Sequence, residues 1–179
     1  QGILRHFEEI SKITDLPIMA YNIPGRTSTL IELETLQTLV DDIGIHSIKD
    51  AVGDFEFSKK QLELLKDKVD IYSGNDNQTY DFVTNGGIGV VSVASHVVGN
   101  EISEMISWAK NNEFDKAQEI NNQLTNLFEA IFEEPSPGPI KKILSESWEE
   151  VGEPLLPITQ ISPELANKIR GFYKKIKEN

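Results

Sequence analysis

The sequence predicts an α/β chain: half of a (β/α) barrel followed by a helical region. Three observations carry this. Four short β-prone apolar runs begin near residues 17, 45, 70 and 88. The first three are each followed by a turn and a segment with helical spacing, the pattern of βα units on a parallel sheet. After Asn100 apolar residues recur only at helical spacing. A barrel of this type closes with eight strands over about 250 residues, so four strands among 179 residues read as half a barrel with a helical tail. The expected organisation is 1–99 for the barrel part and 100–179 for the helical part.

The elements follow in order. Ile3, Leu4, Phe7, Ile10 and Ile13 repeat at helical spacing. Leu16 to Tyr21 is a buried-strand pattern that the Pro24-Gly25 turn ends. Leu33, Leu36, Leu39 and Val40 share a helical face within Ile31 to Val40. Ile43 to Ile48 is the second strand, and Phe57 to Leu65 the helix after it. Val69 to Tyr72 is the third strand, ended by Ser73-Gly74-Asn75-Asp76. A short helix with Tyr80, Phe82 and Val83 stops at Asn85-Gly86-Gly87, and Gly89 to Ala94 is the fourth strand. Ile102, Met105, Ile106 and Ala109 begin the helical region. Phe114 to Phe132, Ile140 to Trp148 and Pro163 to Ile176 complete it. A four-stranded parallel sheet leaves two edges unpaired, so the chain is expected to associate with something or to be completed by an upstream half.

Composition narrows the function. Hydrophobic residues make up 39% and charged residues 26%, as in soluble globular domains. A net charge of −12 argues against nucleic acid, which needs a basic footprint, and against an anionic membrane surface. An anionic substrate then needs a local cation such as Arg26. Without cysteine, disulfides, thiolate catalysis and Cys-ligated metals drop out. A cytoplasmic location is compatible with this. No apolar run reaches membrane-spanning length, and no signal peptide stands at Gln1.

Lys49 is the most informative residue. It ends the short β-prone run Ile45-His46-Ser47-Ile48 and precedes the glycine-containing turn Asp50-Ala51-Val52-Gly53. A lysine at the end of a buried strand is costly unless its amine is paired or used. Tyr21 and Arg26 stand at and just beyond the preceding strand end. A tyrosine, an arginine and a lysine at neighbouring strand ends suggest imine chemistry on a keto acid. Gly86, Gly87 and Gly89 superficially resemble a phosphate loop, but no Lys-Ser/Thr follows. His6, His46 and His96 are not at metal-ligand spacing and read as structural.

Four ordered motifs resemble the dihydrodipicolinate synthase family, also called 4-hydroxy-tetrahydrodipicolinate synthase. They are Tyr21-Asn22-Ile23-Pro24-Gly25-Arg26-Thr27, Ile48-Lys49-Asp50-Ala51 with Gly53-Asp54, Ser73-Gly74-Asn75-Asp76, and Gly86-Gly87-Ile88-Gly89-Val90-Val91-Ser92-Val93. Pro139-Ile140-Lys141 and Leu155-Leu156-Pro157-Ile158-Thr159 extend the likeness along essentially the whole chain. The resemblance implies a (β/α)8 TIM barrel with a C-terminal helical domain, of which this chain is the C-terminal half, strands 5–8. It implies a homo-oligomer, dimer or tetramer, and places the family's paired threonines and interface tyrosine in the absent first half.

The implied reaction condenses pyruvate with aspartate 4-semialdehyde through a lysine Schiff base. It gives 4-hydroxy-tetrahydrodipicolinate on the lysine and diaminopimelate route. Lys49 is the implied nucleophile and Tyr21 the proton shuttle. Arg26 clamps the semialdehyde carboxylate, Val91 lines the pyruvate pocket and Gly74 admits a ligand contact. No metal and no organic cofactor are implied. An ordinary lysine is neutral in only about one molecule in 2,500 at pH 7, so the amine is expected in a dry pocket. Strand alternation is expected to point Asp50 away from it. The same residues also fit another pyruvate-dependent lyase, such as N-acetylneuraminate lyase or a 2-keto-3-deoxy sugar acid aldolase. A non-catalytic fragment is the remaining alternative.

Overall fold

Four strands form one parallel sheet in the order β1-β2-β3-β4: β1 (Met19–Asn22), β2 (Ser47–Asp50), β3 (Asp70–Ser73) and β4 (Gly89–Val90). The computed structural model of the chain describes residues 1–178. It divides into two compact units, Gln1–Val91 and a second from Ser92 onward.

In the first unit the strands are joined by helices. The first, α1 (Gly2–Ser11), precedes β1. After β1 come α2 (Pro24–Thr27) and α3 (Leu33–Thr38), and the latter continues as a wider π-helical turn, Leu39–Ile43. Then come α4 (Phe55–Leu64) after β2 and α5 (Thr79–Thr84) after β3. Asp54 caps α4, its Oδ1 accepting from the N–H groups of Glu56 at 3.0 Å and Phe57 at 3.3 Å. Gly53, with φ +83°, makes the left-handed turn that delivers the chain to that cap.

The paired segments differ from the apolar runs. Each of the first three strands ends one or two residues beyond its run. Pro17 lacks the N–H that a ladder needs, so pairing on β1 starts at Met19. The fourth strand was expected over Gly89 to Ala94, but it pairs only at Tyr72↔Gly89 and Ser73↔Val90. The chain then leaves the sheet, and α6 begins at Ser95. Residue 100, where the pattern turns all-helical, lies inside that helix.

The sheet has two unlike faces. Ala20, Ile48 and Ile71 stand in register and are buried with Leu36, Leu39, Leu62, Leu65 and Phe82. Ile3, Leu4 and Phe7 of α1 pack against the same cluster. The alternate residues, Met19, Tyr21, Ser47, Lys49, Asp70 and Tyr72, point the other way and are half-buried or exposed.

The second unit is helical: α6 (Ser95–Lys110), α7 (Phe114–Ala130), α8 (Gly138–Ser147) and α9 (Pro163–Lys177). Apolar stripes meet in its core. They include Ile102, Met105 and Ala109 of α6, Leu124, Leu127 and Phe128 of α7, Ile140 and Ile143 of α8, and Leu165 and Ile169 of α9. Arg170 on α9 reaches Glu146 on α8 with two bonds, Nε to Oε2 at 2.9 Å and Nη2 to Oε1 at 2.7 Å. This fork holds the Glu146 carboxyl below its ordinary range.

Candidate active site

The register places Tyr21, Lys49 and Tyr72 side by side on the open face of the sheet, one residue before each strand end. Lys49 Nζ lies 4.1 Å from the centroid of the Tyr21 ring, within the range of a cation–π contact. This contact joins the two residues that sequence reading singled out from motifs on different strands.

Asp50 faces the opposite side. It is 1% exposed, its Oδ1 accepts from Val52 N–H at 2.9 Å and its Oδ2 from the Ser58 hydroxyl at 2.9 Å. Burial pushes its carboxyl above the ordinary value. Those two donors work in the lowering direction, and the charge of Asp54 adds to the rise. The carboxylate is therefore kept from the Lys49 amine by the pleat of the strand.

Gly74 explains how Lys49 lies where it does. A Cβ on residue 74 would come within 2.7 Å of Ala51 Cβ, 3.0 Å of Asp50 O and 3.0 Å of Lys49 Cε. A side chain at 74 would collide with Ala51 and the Asp50 carbonyl, and the Lys49 stem lies beside the same gap. Val91 is next in line. Its N–H donates to Ser73 O at 2.9 Å, and its side chain stays 40% exposed beside the row.

Arg26 sits on α2, exposed, and among the described residues it has no ion-pair partner. Its loop is fixed from both ends. Asn22 exchanges two bonds with the Ile31 backbone, Nδ2 to O and N–H to Oδ1, both 3.0 Å. The Thr27 hydroxyl donates to the carbonyls of Ile23 and Thr29, each at 3.0 Å. The guanidinium is thus carried on an anchored loop next to the row and is not spent on a structural pair.

The surroundings differ from those expected. Among the described residues the surroundings of Lys49 are open and not the dry pocket expected: Tyr21 is 43% exposed and Met19 42%. The helical residues that pack on the apolar side of the strands, among them Leu36, Leu62 and Phe82, do so on the face opposite Lys49. Tyr72 was missed at the sequence level. Its position relative to Lys49 depends on strand register, which a single sequence does not display. Among the described residues no group of three or more His, Cys, Asp or Glu side chains could hold a metal ion. No helix among them is long and apolar enough to cross a membrane.

Comparison with known proteins gives the family of the chain. The sequence profile of the dihydrodipicolinate synthetase family matches residues 1–176. The chain is similar to the 4-hydroxy-tetrahydrodipicolinate synthase of Listeria monocytogenes serotype 4b (strain CLIP80459), 37% identical over 171 residues. That match takes in 96% of this chain and 58% of the relative. Among solved structures it resembles a dihydrodipicolinate synthase from Bacillus anthracis, with TM-score 0.90 and 36% identity, covering 97% of this chain and 59% of that one. It also resembles the enzyme from Cyanidioschyzon merolae with lysine bound, with TM-score 0.94 and 35% identity, covering 99% and 60%. The chain therefore spans less than two thirds of the length of the relatives it matches. It belongs to the dihydrodipicolinate synthetase family.

Proposed function

We propose that this chain carries the imine-forming half of a lyase that condenses pyruvate with aspartate 4-semialdehyde. The observation that carries the reading is the placement of Lys49 Nζ over the Tyr21 ring at adjoining strand ends, in a chain of this family. Parallel barrels put their chemistry at strand C-terminal ends.

The Lys49 amine attacks the pyruvate ketone. A C–N bond forms, the C–O bond breaks and water leaves. Loss of a methyl proton from the imine gives an enamine, whose terminal carbon attacks the aldehyde of the semialdehyde. The amino group of that partner then attacks the imine carbon, closes the ring and releases Lys49. Tyr21, beside the amine, moves protons between these steps. Arg26 holds the semialdehyde carboxylate by paired hydrogen bonds. Gly74 and Val91 shape the space in which the imine forms. Lysine itself supplies the carbonyl activation, so the scheme calls on neither metal nor organic cofactor.

The same proposal takes the four strands as strands 5–8 of an eight-stranded barrel. Support comes from the open face and free edges of the sheet, since parallel sheets are ordinarily covered on both sides. Turnover at the full rate then draws on the complementary four strands, and the working enzyme is a homo-oligomer in the cytoplasm on the lysine and diaminopimelate route.

A pulse–chase separates the steps. The chain is incubated with pyruvate, aspartate 4-semialdehyde is added, and borohydride then traps what remains bound. The expected result is an adduct that the semialdehyde depletes. In Arg26→Ala the adduct still forms but the chase is lost. If Arg26→Ala is chased as fast as the parent chain, the carboxylate clamp is wrong. A chase by sugar aldehydes such as N-acetylmannosamine or glyceraldehyde, and not by the semialdehyde, would point to a different aldehyde acceptor.

A further inference from the structure

The residue after each member of the Tyr21–Lys49–Tyr72 row is polar and fully buried on the helix side of the sheet. Asn22, Asp50 and Ser73 are 0, 1 and 0% exposed and stand in register with one another. Each commits its side chain to the segment that follows its own strand. Asn22 closes the loop carrying Arg26 onto Ile31. Asp50 ties the turn at Val52 and the first turn of α4 at Ser58. The Ser73 hydroxyl donates to Asn75 O at 2.8 Å and accepts from Asn75 N–H at 3.1 Å.

The backbones of this tier are also stitched together. Ala51 N–H donates to Asn22 O at 2.9 Å, Gly74 N–H to Asp50 O at 2.5 Å, and Val91 N–H to Ser73 O at 2.9 Å. Every candidate site residue is thus covalently next to, or hydrogen-bonded through, a member of the tier or the loop it ties. Stability alone does not select such groups. One tier down, Ala20, Ile48 and Ile71 fill the same layer with apolar side chains, and a buried carboxylate is costly to desolvate.

We propose that Asn22, Asp50 and Ser73 are positioning residues, and that Asp50 fixes the direction in which Lys49 leaves the sheet. The inference rests on the reading of Lys49 as the imine-forming amine, but part of its test does not. Asp50→Ala, Asp50→Asn and Ser58→Ala are compared in the 179-residue chain with Ile71→Ala, a cavity variant in the apolar tier. The first readout is the ring-current shift of the Lys49 ε-methylene caused by the Tyr21 ring, read by NMR without substrate. The second is the rate of borohydride-trapped pyruvate adduct.

Asp50→Asn keeps an acceptor for Val52 N–H, and the Ser58 hydroxyl can rotate to accept from the new amide. It is expected to retain the shift and to trap at nearly the parent rate. Asp50→Ala is expected to lose the shift and to slow trapping by about tenfold to a hundredfold. Ser58→Ala loses part of the shift, and Ile71→Ala keeps it despite lower stability. If Asp50→Ala does not fold, the partial loss in Ser58→Ala decides. A shift unchanged in Ser58→Ala and in any folded Asp50→Ala overturns the positioning role. A parent chain with the shift but no adduct would instead count against the proposed function and leave the positioning role to be read from the shift alone.

Discussion

The two faces of the four-stranded sheet differ in what they are built for. Behind it, Ala20, Ile48 and Ile71 meet Leu36, Leu39, Leu65 and Phe82 in a closed apolar layer. In front, Tyr21, Lys49 and Tyr72 form a polar row on open surface. The strands are shared, so backbone and ladder are the same for both faces. Only the alternation of side chains separates stability from chemistry. The apolar tier of the back face should govern folding, and the front face should govern reactivity with little effect on folding.

Phe82→Ala attacks the back face most severely. Its ring is fully buried, and its removal is expected to cost about 3–5 kcal/mol in urea unfolding. Tyr21→Phe, on the front, should change stability by less than about 0.5 kcal/mol while slowing imine trapping. Equal stability losses at the two positions would break the contrast.

Asp50→Ala comes next, at about 1–2 kcal/mol, because it removes the acceptor of the part-buried Val52 N–H and leaves the buried Ser58 hydroxyl with only Asp54 O at 3.2 Å. The acid limb sharpens this. Burial raises the Asp50 carboxyl from its ordinary 3.8, so the fold prefers the protonated form. Its contribution is most favourable below about pH 3.8 and is lost as pH rises through the folded value. Asp50→Asn removes that titration. Its stability relative to the parent should therefore rise between about pH 3 and about pH 7, measured as the difference in urea midpoint.

A smaller gain is expected at Gln61 on α4. Its side-chain nitrogen and oxygen are buried and, among the described residues, make no hydrogen bond. Gln61→Leu replaces them with apolar volume and should stabilise the chain by about 1 kcal/mol. The smallest effect lies in the second unit. The Glu146–Arg170 fork is largely at the surface, with side-chain exposures of 28% and 50%, so Glu146→Gln should cost no more than about 1 kcal/mol, fading at high salt.

The sequence made some of this readable and hid the rest for physical reasons. Four strand-like runs, their helices and the order Tyr21, Arg26, Lys49, Gly74, Val91 were visible because composition and turn residues mark them locally. The opposite orientation of Asp50 followed from the two-residue period of a strand. Tyr72 did not stand out, since its place beside Lys49 depends on pairing between strands distant in sequence. The tier of Asn22, Asp50 and Ser73 was hidden for the same reason. Three different polar residues share one function only once register aligns them. The length of β4 was overread because Val91 and Val93 look strand-like, yet the register with β3 ends at Ser73↔Val90.

The most direct test is where pyruvate is captured. The chain is treated with pyruvate and borohydride, digested, and each lysine-containing peptide is mapped by mass spectrometry, with Lys49→Arg as the control. Capture confined to Lys49 and absent from Lys49→Arg is the predicted result. Capture spread over the exposed lysines, or persisting in Lys49→Arg, would contradict the account.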